Sequence, residues 1–460
     1  MRQLFGTDGI RGVAGTAPLD TTTVYAVGLA LAHQLRPGAL VSGSIGPRVL
    51  LGRDTRESSP WISKMLAAGL RAGGAEVESA GVIPTPGIAY LARKHGFNAG
   101  VVISASHNPW QDNGIKVFGG DGRKLPDQTE LAIEDVIFKH ALATSAPEID
   151  ELPALDDQHH FAKEYIASLL EAVPGLTLTG RKIVVDCANG AAAAIAPRLF
   201  ADLHRRGGGD ITMINVRPDG QNINDNCGAL HPKTVAAEVI AREADLGITF
   251  DGDADRCLAA GAHDNVINGD AILLMAARDL QARGLLTGNI VVATTMSNMG
   301  LEAALKRSGI TMLRATVGDR YVLQMMQEKN AALGGEQSGH ILFPHLATTG
   351  DGVLTALVVL DLIARTGSTI EELTADLKVF PQVIVNVKVR EKRPLEEISV
   401  VVERIRAAET DLADSGRVVI RYSGTEALAR VMIEAESEDR MRFHANAIAE
   451  AIRAELGVFS

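Results

Sequence analysis

Three stretches of the chain repeat one arrangement of apolar and polar positions. They begin at Arg48 (RVLLGRDTRESSPWISKMLAAGLRAGGAEVESAGV), Lys182 (KIVVDCANGAAAAIAPRLFADLHRRGGGDITMINV) and Asn289 (NIVVATTMSNMGLEAALKRSGITMLRATVG). Each opens on a short β-branched run, crosses a polar loop into a helix-like stretch, meets a glycine and closes on a second apolar run. That order predicts strand, loop, helix, turn, strand. A continuous apolar strand feeding a helix implies a sheet covered on both faces. The copies recur at roughly 110–135 residues, well beyond the 20–50 of a solenoid repeat. They predict three similar α/β domains.

After Phe380 the pattern changes. VIVNVKV (383–389) alternates, a helix-like stretch runs from Pro394 to Glu409, RVVIRY and ARVMIEAE follow, and a helix closes from Asp439 to Leu456. Strand–helix–strand–strand–helix predicts a small α+β domain. The polar, Pro-containing TSAPEIDELPALDDQ (144–158) predicts a linker. Further breaks near Gly261 and Phe380–Pro381 divide the chain into 1–155, 156–260, 261–378 and 379–460. The apolar face of GVLTALVVLDLIA (352–364) reads as core rather than interface.

Composition narrows the class. The chain has 460 residues, 46% hydrophobic and 22% charged, which excludes extended disorder. Forty-five Lys and Arg stand against 56 Asp and Glu, a net charge of −11. That balance argues against nucleic-acid or anionic-membrane binding, while leaving room for a locally basic cleft. Cys187, Cys227 and Cys257 are too few and too scattered for a disulfide framework, so a reducing compartment is expected. No signal-peptide pattern and no apolar run near ~20 residues is present, so a cytoplasmic protein, monomer or homodimer, is expected.

Ligands of open α/β sheets gather beyond the carboxyl ends of strands. The run ending at Ile103 is followed by Ser104, Ala105, Ser106, His107, Asn108 and Pro109. This is either an exposed nucleophile loop centred on Ser106 or a serine-rich turn. Lys116 lies ten residues beyond Ser106 and can return to the same place. The run GITF ends in Asp251, Asp253 and Asp255. Three alternate carboxylates repel unless a cation sits among them, and hard oxygens favour Mg²⁺ or Ca²⁺. An EF-hand fails, because Arg256 stands where its glycine must be and Ala262 where its glutamate must be. LGGEQSGHILF (333–343) sets Glu336, Gln337 and Ser338 among glycines, a loop suited to sugar hydroxyls. His340 can move a proton near neutrality, although a lone His beside a strand is more often structural. RYSGTEALAR (421–430) offers Arg421, Ser423, Gly424 and Thr425 to a phosphate. FGTDGIRG (5–12) adds Arg11. No Walker A loop or strand-linked GxGxxG occurs.

FGTDGIRG, SASHNPWQDNGIK, DGDADR, GGEQSGH and RYSGTE, in that order from end to end, resemble the motifs of the α-D-phosphohexomutase family. GEQSGH resembles the branch acting on glucosamine phosphates, whereas GEMSGH marks the phosphomannomutase/phosphoglucomutase branch of broader sugar tolerance. The resemblance implies three related α/β domains and a smaller C-terminal α+β domain around a central active-site cleft. They would carry, in order, the phosphoserine, metal, sugar and phosphate loops. It implies interconversion of glucosamine 6-phosphate and glucosamine 1-phosphate, feeding amino-sugar nucleotide and cell-wall precursor synthesis. Ser106 would be the phosphoserine. Mg²⁺ would be held by Asp251, Asp253, Asp255 and the Ser106 phosphate. Arg11 and Arg256 would stabilise the transferring phosphoryl group, and Lys116 and His340 would be the acid/base pair. Glu336 and Ser338 would read sugar hydroxyls, and Arg421, Ser423, Gly424 and Thr425 would clamp the second phosphate. A hexose 1,6-bisphosphate would be intermediate and activator. Tyr422 and Ala427 replace two prolines usual in the family's clamp, which removes backbone restraint there.

Overall fold

The computed structural model describes residues 4–6, 8–36, 46–139, 142, 144–263, 265–423 and 427–458. Its contacts divide into two compact units: Met1–Met296 with Met312–Thr374, and Ser297–Thr311 with Ala375–Ser460.

The first unit holds three sheets. The first comprises β1 (Phe5–Gly6), β2 (Gly9–Val13), β3 (Arg48–Arg53), β4 (Glu76–Val82), β5 (Ala99–Ile103) and β6 (Asp112–Gly119), in the order β1-β2-β6-β5-β3-β4. Its helices are α1 (Thr21–Gln34), α2 (Ser59–Ala72), α3 (Thr85–Lys94) and α4 (Asp127–Lys139). The second comprises β7 (Lys182–Asp186), β8 (Asp210–Ile214), β9 (Leu246–Phe250), β10 (Cys257–Gly261) and β11 (Val266–Ile267), ordered β11-β10-β9-β7-β8. It is accompanied by α5 (His160–Ala172), α6 (Ala196–Gly207) and α7 (Pro232–Ala241). The third comprises β12 (Ile290–Thr294), β13 (Thr311–Ala315), β14 (Leu333–Gly335) and β15 (Ile341–Leu342), ordered β13-β12-β14-β15. The helices of this stretch are α8 (Gly269–Ala282), α9 (Met299–Arg307), α10 (Asp319–Lys329), α11 (Gly352–Thr366) and α12 (Ile370–Thr374).

The expected repeat is visible in this topology. The orders β4-β3-β5-β6, β8-β7-β9-β10 and β13-β12-β14-β15 are one pattern. In each, the third strand runs parallel to the first (β3 with β5, β7 with β9, β12 with β14). The fourth then returns antiparallel. The Ser106, Asp251 and Glu336 loops are therefore equivalent turns, each leaving a fully buried strand. Asp157, at the end of the predicted linker, is pinned by Arg53 (2.6 Å) and by the Ser79 hydroxyl (2.7 Å). Helix α11 is core, with both its faces largely buried, and Asp351 caps it by accepting from the Leu354 amide (2.9 Å).

The second unit pairs β16 (Gln382–Lys388), β17 (Gly416–Tyr422) and β18 (Leu428–Ala435) antiparallel, in the order β16-β18-β17. Helices α13 (Ser399–Leu412) and α14 (Glu438–Leu456) pack against this sheet. Helix α9 belongs here too: Asn298, its cap, exchanges hydrogen bonds with the backbone of Phe380 (2.9 and 3.0 Å). The helix expected from Pro394 begins only at Ser399. A short 3-10 turn at Leu395–Glu397 precedes it, and Ile398 is extended, so the chain changes direction before the helix nucleates. Among the described residues no helix is long and apolar enough to cross a membrane.

Candidate active site

Ser106 follows β5 with a left-handed backbone, φ 54°. A side chain there crowds its own backbone, at a cost of roughly 1–2 kcal/mol, so neighbouring bonds must impose the turn. They start from buried Asp54. Its carboxylate accepts from the hydroxyls of Ser59 (2.7 Å) and Ser104 (2.6 Å) and is paired with buried Arg56. The Ser104 oxygen in turn accepts from the Ser106 amide (2.9 Å). Ser104 thus supports the loop, and Ser106 presents its hydroxyl to Asp251 Oδ2 at 2.5 Å, with His107 Nδ1 at 3.2 Å.

Asp251, Asp253 and Asp255 are buried, and each offers an oxygen within 4.8 Å of the others. Burial, then the Asp255 and Asp253 charges, push the Asp251 carboxyl well above the usual range. Burial also opposes charge on Asp255, yet Lys116 and His340 hold it well below that range. Asp253 Oδ1 and Asp255 Oδ1 are buried without a hydrogen-bond partner. Orphaned buried carboxylate oxygens are costly unless a cation takes them. The triad can therefore hold a metal ion, and its all-oxygen donor set suits a hard divalent cation.

Beside the triad opens a cavity of about 480 Å³ lined by Arg11, His107, Lys124, Arg256, Glu336 and His340, among others. Six charges of alternating sign form a closed ring beside it, all but Lys116 lining the cavity. Lys116 Nζ lies 3.1 Å from Asp8 and 3.5 Å from Asp255; His340 lies 3.6 Å from Asp255 and 3.4 Å from Asp319; Lys124 lies 2.7 Å from Asp319 and 2.6 Å from Asp8. Lys116 also reaches Asp253 at 2.8 Å. Burial penalises the charge on Lys116, but Asp253 and Asp8 raise it well above the usual lysine range. His340 is likewise raised to about 9 against its burial, by Asp255 and Asp319. Burial, then Arg256 and Arg11, lower His107 to about 4. Arg11 pairs with Asp8 and reaches the Ala105 carbonyl (3.4 Å). The Nε atoms of Arg11 and Arg256 are buried without hydrogen-bond partners, although Arg256 Nε stands 3.9 Å from Asp255 Oδ1, and both arginines line the cavity.

Glu336 accepts from the Gly318 amide (3.1 Å) and from Ser338 (3.1 Å), which orients its carboxylate in the cavity wall. Gln337, on which the choice of sugar branch turned, donates to Asp270 Oδ2 at 3.2 Å instead. It holds the loop to the start of α8. In the second unit, Arg421 is exposed and paired across the sheet with Arg430. Ser423 donates its amide to Leu428 (2.8 Å), and its carbonyl accepts from Lys392 (2.6 Å). Gly424 and Thr425 lie outside the described residues. Where the family's motif usually has prolines, this loop has other restraints: the Tyr422 hydroxyl donates to the Arg393 carbonyl (2.5 Å), and the Ala427 carbonyl accepts from the Val389 amide (2.9 Å).

Sequence reasoning passed over Asp8, Lys124, Asp319, Arg56 and Asn224. Asp8 stood unremarked inside FGTDGIRG, and Asp319 lay one residue past the third repeated stretch, which closes at Gly318. Lys124 and Asn224 carried no signal until folding brought the first to Asp8 and Asp319 and the second to the Ser106 loop.

The phosphoglucomutase/phosphomannomutase family matches along most of the chain. Its α/β/α domain I matches residues 2–144, domain II 163–264, domain III 268–380 and its C-terminal domain 384–451. The phosphoglucosamine mutase of Koribacter versatilis is 57% identical across 100% of this chain and 98% of its own. That of Solibacter usitatus is 48% identical across 99% of each. Among solved structures, a phosphoglucomutase/phosphomannomutase family protein from Burkholderia thailandensis superposes with a TM-score of 0.77 at 25% identity, over 99% of this chain and 98% of its own.

Proposed function

Because the chain belongs to the phosphoglucomutase/phosphomannomutase family, we propose that it is an isomerase interconverting glucosamine 6-phosphate and glucosamine 1-phosphate through a phosphoserine at Ser106. The observation that carries this reading is the Ser106 hydroxyl, 2.5 Å from a buried Asp triad. The full-length likeness to phosphoglucosamine mutases supports the substrate.

In the forward direction the bond from Ser106 Oγ to phosphorus breaks as a bond forms from the sugar O1 to the same phosphorus. This gives a 1,6-bisphosphate. The O6 phosphate then returns to Ser106 and leaves glucosamine 1-phosphate. Lys116 and His340 are the groups proposed to handle the hydroxyl proton, and Arg11 and Arg256 to neutralise the moving phosphoryl oxygens. Such transfers depend mostly on positioning and electrostatics. Asp251, Asp253 and Asp255 would hold Mg²⁺, which when bound neutralises negative charge on the phosphoryl group. Glu336, fixed by Ser338, is proposed to accept from sugar hydroxyls. The Arg421–Thr425 loop is proposed on its chemistry as a second phosphate-binding element. A hexose 1,6-bisphosphate would prime Ser106, and three buried free thiols suit a reducing cytoplasm.

A phosphorus-31 NMR time course tests the reading, with Mg²⁺, a trace of glucose 1,6-bisphosphate and glucosamine, glucose or mannose 6-phosphate. Preferential growth of the glucosamine 1-phosphate signal is expected. Preference for glucose or mannose would move the chain to the broader branch. No isomerisation of any sugar would overturn the reading.

A further inference from the structure

We propose that Asn224 is a positioning residue for phosphoryl transfer: from the second α/β domain, its side-chain amide fixes the backbone of the Ser106 loop in the first. The proposal rests on the reading of Ser106 as phosphate carrier. Asn224 Nδ2 donates to the carbonyls of Ser106 (2.9 Å) and Asn108 (3.2 Å). The same two carbonyls receive Arg56 Nη2, at 3.0 and 2.6 Å, from within the first domain. Each carbonyl is thus held once from each domain, and the left-handed turn at Ser106 lies between the two donors.

The third wall is the metal loop itself. A methyl group built on Gly252 would lie 2.4 Å from the Ser106 carbonyl oxygen and 2.8 Å from Asn224 Nδ2. Ser106, Asn224 and the backbone between Asp251 and Asp253 are therefore in mutual contact. Asn224 sets where the Ser106 oxygen stands relative to Asp251, a position it must regain every time the phosphoryl group leaves and returns. The residue type fits. The amide donates without adding charge beside the triad, a carboxylate would repel both carbonyls, and the φ of 59° at Asn224 is one that Asn tolerates. The domains have other ties nearby, Thr55 to the Asn189 carbonyl (2.6 Å) and the Glu57 amide to Gly220 (2.9 Å). Loss of the amide should therefore leave the fold in place.

The test uses the full chain with Mg²⁺ and compares Asn224→Ala with Asn224→Gly, since glycine keeps the left-handed backbone without strain. Both variants should lose kcat by about 10- to 100-fold, the scale of a small misplacement of a reacting group. KM for glucosamine 6-phosphate and Mn²⁺ affinity should stay near wild type. Phosphorylation of Ser106 by glucose 1,6-bisphosphate should slow by the same factor as kcat. Wild-type kcat in Asn224→Gly would assign the effect to backbone strain and overturn the proposal, as would loss of kcat only in step with Mn²⁺ affinity. Ser106→Ala runs beside them: turnover there would overturn the phosphoserine reading itself, and the proposal with it.

Discussion

Gly350→Ala tests whether His340 must stand where it does. A methyl group at Gly350 would lie 2.2 Å from His340 Nε2 and 2.5 Å from two ring carbons. Ordinary contact begins near 3.4 Å, so the ring must retreat by 3.4 − 2.2, or about 1.2 Å. Retreat breaks its approach to Asp255 at 3.6 Å and Asp319 at 3.4 Å. A displacement of that size near reacting groups costs on the order of 100-fold in rate, about 2.7 kcal/mol. Overpacking should lower stability by about 1–3 kcal/mol. The assay is steady-state glucosamine 1-phosphate formation at saturating Mg²⁺, with thermal unfolding as the control for folding. The decisive comparison is a double-mutant cycle with His340→Ala. There the methyl group meets no ring, so Gly350→Ala should cost little further activity. An equal loss in both backgrounds would refute the argument, because the damage would not pass through His340.

Other predictions follow from the same geometry. Ser106→Ala should abolish turnover while leaving thermal unfolding and Mg²⁺ binding nearly unchanged; substantial residual mutase activity would contradict the role of Ser106. Asp251→Asn should leave the metal-free protein at least as heat-stable, because it relieves repulsion among three buried carboxylates, and should remove most of the rise in Tm that Mg²⁺ gives wild type. A drop in metal-free Tm with the Mg²⁺ effect intact would count against the triad as a metal site. Burial pushes Asp351 up to about 6, against the Leu354 amide and Tyr165 hydroxyl that favour its charge. The cost of charging it is absent below about pH 4, grows to about pH 6 and persists above, reaching about 3 kcal/mol. Asp351→Asn keeps the cap and should raise Tm at pH 7.5 more than at pH 4; a lower Tm at both would refute it.

Three of the sheets were legible because their central strands are nearly unbroken apolar runs, as in Ala99–Ile103 and Leu246–Phe250, and the fourth because its first strand, β16, alternates. The site loops were legible because the chemistry sits at the ends of those runs, in residues crowded enough to be conspicuous, above all Asp251, Asp253 and Asp255. The supporting residues were not. Asp8 and Lys124 are charges in polar loops and Asp319 opens α10, and a buried ring of charges looks in sequence like solvated surface. Arg56 and Asn224 act on backbone carbonyls some 50 and 118 positions away, a relation no local pattern carries. Gln337 was legible as a mark of its branch but misleading as a contact, since its amide is spent on Asp270. The late start of α13 came from the extended residue Ile398, which the apolar periodicity did not register.

The central claim is that the phosphoryl group on Ser106 is the one transferred to the sugar. A rapid-quench experiment tests it most directly. Enzyme carrying phosphorus-32 on Ser106 is mixed with unlabelled glucosamine 6-phosphate and Mg²⁺ and sampled through the first turnover. The account predicts that label leaves the protein for glucosamine 1,6-bisphosphate and then glucosamine 1-phosphate, at a rate no slower than kcat. Label remaining on Ser106 while glucosamine 1-phosphate accumulates would contradict it.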